Sequence, residues 1–234
     1  EGAIPNLTPN GIFLPKKHLV LEYNYLISTF AAIIDSLNIG DLISSWHIPL
    51  NLRYKDGLVS KSNLLRDHPT EHIHTDSWAG ESSESVTIQI PIFGDIERNF
   101  VTFYSAPKEF DESWLGSRPS YKDGVEITKK YKKIDSRPSK GHLQLSDFAD
   151  MHASTRLDNA GPRISIDTTF VLKRPGDERR PEKIHKWRED ERAAPEVLSS
   201  IGSKYLMYFP DTNEDWVDNE GGHKHPSNCI LIKL

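Results

Sequence analysis

One cysteine, Cys229, among 234 residues excludes an intrachain disulfide and any zinc site built on several thiolates. The same scarcity fits a reducing compartment, so a cytoplasmic protein is expected. No apolar run reaches the ~18 residues that mark a membrane span, and no secretory leader pattern opens the chain. The first residue is Glu1 rather than methionine, which fits a trimmed chain and leaves room for a leader removed earlier. A basic excess is also missing. The formal net charge is −5, which offers no electrostatic footprint for nucleic acid. Lysines and arginines gather at 129–133 and 174–192, but acidic residues interleave in the second stretch, and both read as solvated faces. No internal repeat exceeds the two Ser-Arg-Pro-Ser copies at 117–120 and 136–139. These absences leave a chain of single-domain length, with a small-molecule substrate expected and neither nucleic acid nor membrane as partner.

The patterning is mainly β with flanking helices. After Pro15, apolar residues recur at helical spacing through Leu19, Tyr23, Leu26, Ile27, Phe30, Ile33, Ile34 and Leu37, and Gly40 follows. An amphipathic helix over about 15–40 is expected from these start and stop signals. Strand-like pieces come next at 46–54, 71–76, 86–93 and 99–105. In the third, Val86, Ile88, Ile90 and Ile92 alternate with Thr87, Gln89 and Pro91, the period of a half-buried strand whose proline marks an edge or an end of pairing. Residues 106–141 break this regularity with Pro107, Gly116, Pro119, Gly124, Pro138 and Gly141. They read as a long insertion whose Phe110, Trp114, Tyr121 and Tyr131 could cover a substrate. Strands resume at 142–145, 151–156 and 163–172. Beyond Lys173 the composition turns polar, with a helix expected to end near Ala194 and a short one from Pro195 to about Ile201. Residues 174–234 are treated as an appendage to one domain.

The chemistry-bearing stretch is His74-Thr75-Asp76. Ten histidines and eighteen aspartates in the chain supply a His-x-Asp about once by chance, so its weight comes from its partners. His152 follows 76 residues after Asp76, and Arg163-Ile164-Ser165 starts eleven residues after His152. In extended backbone, positions 74 and 76 project to one side, about 6–7 Å apart. Two imidazoles and a carboxylate can then occupy one face of an octahedral metal and leave positions open for reactants. Arg163 adds a planar, permanently charged fork suited to a carboxylate, and Ser165 can add a hydroxyl donor on the same strand face.

Together these residues resemble the 2-oxoglutarate-dependent Fe(II) dioxygenase superfamily, over about residues 46–173. The spacing of the distal pair is closer to the taurine-dioxygenase and phytanoyl-hydroxylase branches, and the Arg-x-Ser form to the penicillin-synthase and plant branches. The resemblance implies a double-stranded β-helix (jelly roll, cupin-like) core and Fe(II) held by His74, Asp76 and His152. It also implies 2-oxoglutarate anchored by Arg163 and Ser165, and O2 as oxidant. Of the candidate donors near the iron-proximal end (Arg53, Asn63, Thr87, Gln89 and Tyr104), Gln89 is the one assigned to the cosubstrate. An intact Asp76 points to oxygenation rather than halogenation, which in this family replaces the carboxylate. Hydroxylation of a small polar metabolite, in the manner of secondary-metabolite oxygenases, is the default outcome, and desaturation, ring closure and epimerisation stay open because the same ligands support them all.

Competing readings differ at named residues. A cupin would pair His72 and His74 with a glutamate about four residues on, but Trp78 and Ala79 stand there. His72 is therefore placed beside the site rather than in it. A zinc hydrolase on the same three ligands leaves Arg163 unexplained and lacks a positioned general base. A peptidyl hydroxylase of the same superfamily and a non-catalytic cupin-like metal or ligand binder remain as alternatives. His223 and His225, in a glycine-rich stretch, receive no role.

Overall fold

The computed structural model describes residues 7–48 and 50–173, together with the strand segments Lys183–Lys186, Pro195–Ser199, Tyr205–Tyr208, Val217–Asn219, Gly222–Lys224 and Ile230–Lys233. Among the described residues no helix is long and apolar enough to cross a membrane.

The apolar stripe before Gly40 forms α1 (Val20–Ser36), preceded by a 3-10 turn at Lys17–Leu19. The stripe is narrower than its sequence suggests. Tyr23, Ile27, Phe30, Ala31 and Ile34 are buried, whereas Leu19, Ile33 and Leu37 stay exposed. The helix stops before Gly40, because Asn38 adopts φ +56°, the left-handed conformation that ends helices. Phe30 stacks on Trp46 at 5.7 Å and on Phe170 at 6.3 Å, which fixes α1 against one sheet.

The sheets explain the rest. The strands are β1 (Ile43–Ile48), β2 (Asn51–Lys55), β3 (Ser85–Gly94), β4 (Asn99–Ser105), β5 (Lys132–Lys133), β6 (Gln144–Asp147), β7 (Met151–Arg156) and β8 (Arg163–Leu172). All pairings are antiparallel. One sheet runs β2-β8-β3-β6, with β1 pairing the far half of β8. The other runs β7-β4-β5, and His74 bridges to His152 on the free side of β7. The chain thus passes between the sheets in the order of a double-stranded β-helix: β2, the His74 segment, β3, β4, β5, β6, β7, β8.

Register assigns the faces. Ile88, Ile166, Phe170 and Leu52 point outward to α1, in one cluster with Trp46, Leu50 and Ile27. The alternate residues Thr87 and Gln89 of β3 stand beside Thr169 and Asp167 of β8, and Asn51, Arg53 and Lys55 of β2 stand beside Asp167, Ser165 and Arg163. Cross-strand partners share a face, so the polar half of the alternation lines the interior between the sheets. The apolar half is coated from outside. A second cluster of Trp78, Tyr121, Tyr131 and Met151, with Tyr104, Trp114 and Ile127 around it, covers the outer face of the smaller sheet.

Four expectations change. The strand at 46–54 is two strands, β1 and β2, consistent with a proline at position 49 that has no N–H for a ladder. The strand at 71–76 reduces to one bridge at His74, because Asp76 starts a 3-10 turn (Asp76–Ala79) closed by Gly80 at φ +94°. Residues 106–141 hold two 3-10 turns, a short helix and β5, and their aromatics pack beneath the smaller sheet. Helices were expected around 183–201, but β9 (Lys183–Lys186) and β10 (Pro195–Ser199) are extended, β10 pairing with β1 and β9 with β10. An open sheet edge overrides local helix propensity there.

Candidate metal and carboxylate site

His74 and His152 exchange both backbone hydrogen bonds, at 3.0 and 2.8 Å, so their side chains leave the ladder on one side. The ring centroids lie 4.4 Å apart. Thr75 is extended (φ −115°, ψ 151°) and turns Asp76 to the same side. One ligand atom from each of His74, Asp76 and His152 lies within 4.8 Å of the others, and His152 Nε2 stands 3.6 Å from Asp76 Oδ1.

Each donor is held from behind. His74 Nδ1 donates to the His72 carbonyl at 2.7 Å, and His152 Nδ1 donates to the Asp150 carbonyl at 3.0 Å. That assignment leaves both Nε2 lone pairs for a metal, the tautomer that ligating histidines need. Thr87 Oγ1 donates to Asp76 Oδ2 at 3.1 Å, which leaves Oδ1 facing His152. Burial, followed by the neighbouring His152, holds the His74 pKa well below the ordinary imidazole range. His74 is therefore neutral and ready to ligate across the physiological range. The Phe148 carbonyl accepts from Ser77 N–H at 3.0 Å and from the Thr75 hydroxyl, fixing the turn that carries Asp76.

The interior also holds an unusual arginine. Arg163 is 2% exposed, and among the described residues its Nε and Nη2 have no hydrogen-bond partner. Ser165, two residues on and fully buried, leaves its Oγ unpartnered as well. Buried charges are ordinarily paired, so this corner lacks an anion. Burial, with Arg53 adding repulsion, lowers the Arg163 pKa to about 10. On one side Arg163 faces Gly94 of β3. Gly94 adopts φ +91°, and a Cβ there would sit 2.2 Å from the Pro162 carbonyl oxygen. On the other side stands Lys55 of β2.

Two ion networks flank this corner. Arg53 grips Asp167 through Nε and Nη2, both at 2.8 Å, and Asn51 Nδ2 joins at 2.9 Å. Glu71 takes Lys55 at 3.4 Å and Arg156 at 3.1 Å. Burial, only partly offset by Glu71 and reinforced by Arg53, Arg156 and Arg163, lowers the Lys55 pKa to about 7. The interior thus holds Arg53, Lys55, Arg156 and Arg163 with Glu71, Asp167 and Asp76. The unpaired Arg163 guanidinium fits a carboxylate, and the His-Asp-His cluster fits a divalent metal.

The structure brings together His74, Asp76 and His152 as the sequence suggested, and sets Arg163, Ser165 and Gln89 on one interior face with Thr87, which touches Asp76. Sequence reading missed Lys55, Glu71 and Arg156. A signal for Lys55 exists: Asn51, Arg53 and Lys55 alternate with Leu52 and Tyr54, as polar and apolar residues alternate in β3 and β8. His72 contributes its carbonyl, while its imidazole is partly buried with an unpartnered Nδ1.

No protein-family model and no curated protein sequence matches the chain. Solved structures do. The non-haem alpha-ketoglutarate-dependent carbocyclase SnoK from nogalamycin biosynthesis has a TM-score of 0.43 at 10% identity, over 89% of this chain and 70% of that one. The epimerase SnoN from nogalamycin biosynthesis has 0.37 at 15%, over 87% and 68%. An N-substituted L-amino acid dioxygenase from Burkholderia ambifaria has 0.36 at 13%, over 67% and 69%.

Proposed function

We propose that the chain is an Fe(II)- and 2-oxoglutarate-dependent dioxygenase that oxidises a C–H bond of a small polar metabolite, by default through hydroxylation. One observation carries the reading. A His-Asp-His cluster shares an interior with a buried arginine that has no counter-ion among the described residues, and a dicarboxylic cosubstrate of a divalent metal would satisfy both. His74, Asp76 and His152 would hold the iron, with Thr87 keeping one Asp76 oxygen occupied. Arg163 and Ser165 would fix the far carboxylate, with Lys55 beside them. Bound iron would supply dioxygen activation coupled to decarboxylation of 2-oxoglutarate. The residues' own work is orientation: they set one end of the cosubstrate against the metal and keep its other end neutralised away from water. The polar interior, with Gln89, Asn51 and Thr169, supports a polar substrate.

The test is anaerobic addition of Fe(II) and 2-oxoglutarate. A weak visible charge-transfer band should appear in the native chain and vanish in His152→Ala. With air and substrate, succinate should form. If the native chain gives neither band nor oxygen-dependent succinate, the proposal is wrong.

A further inference from the structure

The insertion at 106–141 has material for a lid, yet its aromatics lead elsewhere. Tyr121 is 2% exposed, and its ring stacks on His74 with centroids 4.1 Å apart and planes 15° from parallel. His68 meets the same ring edge-on at 4.8 Å. Several contacts fix where Tyr121 sits. Its N–H donates to the Asp67 carbonyl at 2.9 Å, and the Ser120 hydroxyl donates there at 3.1 Å. A capping box of Ser120 and Asp123 starts its turn. Gly124 lies so close to Trp78 that a Cβ would fall 2.0 Å from the indole, so the turn packs directly on that ring. Trp78 in turn donates from Nε1 to the Trp114 carbonyl at 2.7 Å.

We propose that Tyr121 is a positioning residue for the metal, and that the insertion belongs to the metal site rather than to a cover over the substrate. The backbone bond from His74 Nδ1 to His72 leaves the imidazole a hinge about that contact. A parallel ring against its flat face removes the remaining freedom and aims Nε2 at Asp76 and His152. Metal binding draws electron density from the imidazole, and the electron-rich face of a tyrosine attracts an electron-poor ring. Occupancy of the metal site and order in the turn at 120–124 are therefore linked. This inference rests on a metal at the triad and not on the cosubstrate or substrate.

Cobalt(II) is the probe, read by its visible d–d bands and by amide hydrogen exchange of the full chain. Native protein and Tyr121→Phe should bind within about twofold of each other, because the ring face is kept. Tyr121→Leu should bind roughly tenfold more weakly, the usual scale for losing support behind a ligand, with altered bands. Trp114→Leu loosens the same apolar cluster without touching His74 and should bind normally. In the native chain, cobalt should slow exchange at residues 120–124. The proposal falls if Tyr121→Leu binds like native protein, if Trp114→Leu loses as much, or if cobalt leaves exchange at 120–124 unchanged. That last measurement decides the matter even if Tyr121→Leu does not fold. A native chain that binds no cobalt overturns the metal reading itself, which is a different result from native binding with an indifferent Tyr121.

Discussion

Replacing Arg163 by methionine should make the ligand-free protein more stable and blind to 2-oxoglutarate. Each tenfold change in proton affinity is worth about 1.4 kcal/mol. A guanidinium held at about 10 instead of 12.5 therefore costs the ligand-free fold about 3 kcal/mol when charged. Methionine keeps much of the volume and removes the unpaired charge. At about 2–4 °C per kcal/mol for a chain of this size, the ceiling on the gain is roughly 6–12 °C in melting temperature. The ligand response runs the other way. For the native protein, 2-oxoglutarate at a hundred times its Kd adds about 2.7 kcal/mol, and losing a buried charge partner removes about 2–5 kcal/mol of binding. The assay is a pair of anaerobic melts with Fe(II), with and without 2-oxoglutarate, for native and Arg163→Met chains. An Arg163→Met chain that melts below the native one without ligand, or that still rises with 2-oxoglutarate, refutes the reasoning.

Thr87→Val keeps the shape beside Asp76 but removes its donor, so Fe(II) affinity measured by titration should fall roughly tenfold; unchanged affinity would show that the carboxylate needs no such support. Phe30→Ala, which removes the ring between Trp46 and Phe170, should destabilise the chain by about 3–5 kcal/mol in chemical denaturation, and a cost under about 1 kcal/mol would mean that α1 is not packed as described. Lys55 gives a pH signature. Its folded pKa is about 7 against an ordinary 10.5, so between those values the unfolded chain holds a proton that the folded chain lacks, and stability from this group rises with pH. The burial penalty is fully present below about pH 7, and Lys55→Met should flatten the rise between pH 7 and 9.5. An identical slope in both chains would refute the assignment.

Local pattern carried much of this fold. The strands at 99–105, 151–156 and 163–172 have the bounds that alternation predicts, because side-chain period alone defines them. The grouping of His74 and Asp76 was legible for the same reason, and His152 through its distance from Arg163. What alternation could not tell was which side is inside. Thr87 and Gln89 were candidate donors only through the family resemblance, and they line the interior because an apolar helix coats the opposite side. Lys55 escaped notice because its place beside Arg163 is set by cross-strand register over 108 residues of sequence. Tyr121 was legible as an aromatic in an insertion, but its stacking on His74 depends on a turn anchored at Asp67. The strands at 183–186 and 195–199 were read as helix because the pair they form is held by β1, which lies far back in the chain.

The barrel wears its hydrophobic core as a coat. Trp46, Phe30, Phe170 and Ile88 bind α1 to one wall, and Trp78, Met151 and Tyr131 bind the insertion to the other, while polar side chains of β2, β3 and β8 line the lumen side of the larger sheet. Folding and selectivity are thereby assigned to opposite surfaces of the same strands. A lumen residue clear of the ion networks, such as Gln89 or Thr169, can be exchanged to admit a different molecule at little risk to the fold. The outward neighbours Ile88 and Phe170 are packed under α1, where truncation leaves a cavity, so the chain can be retuned in steps of two.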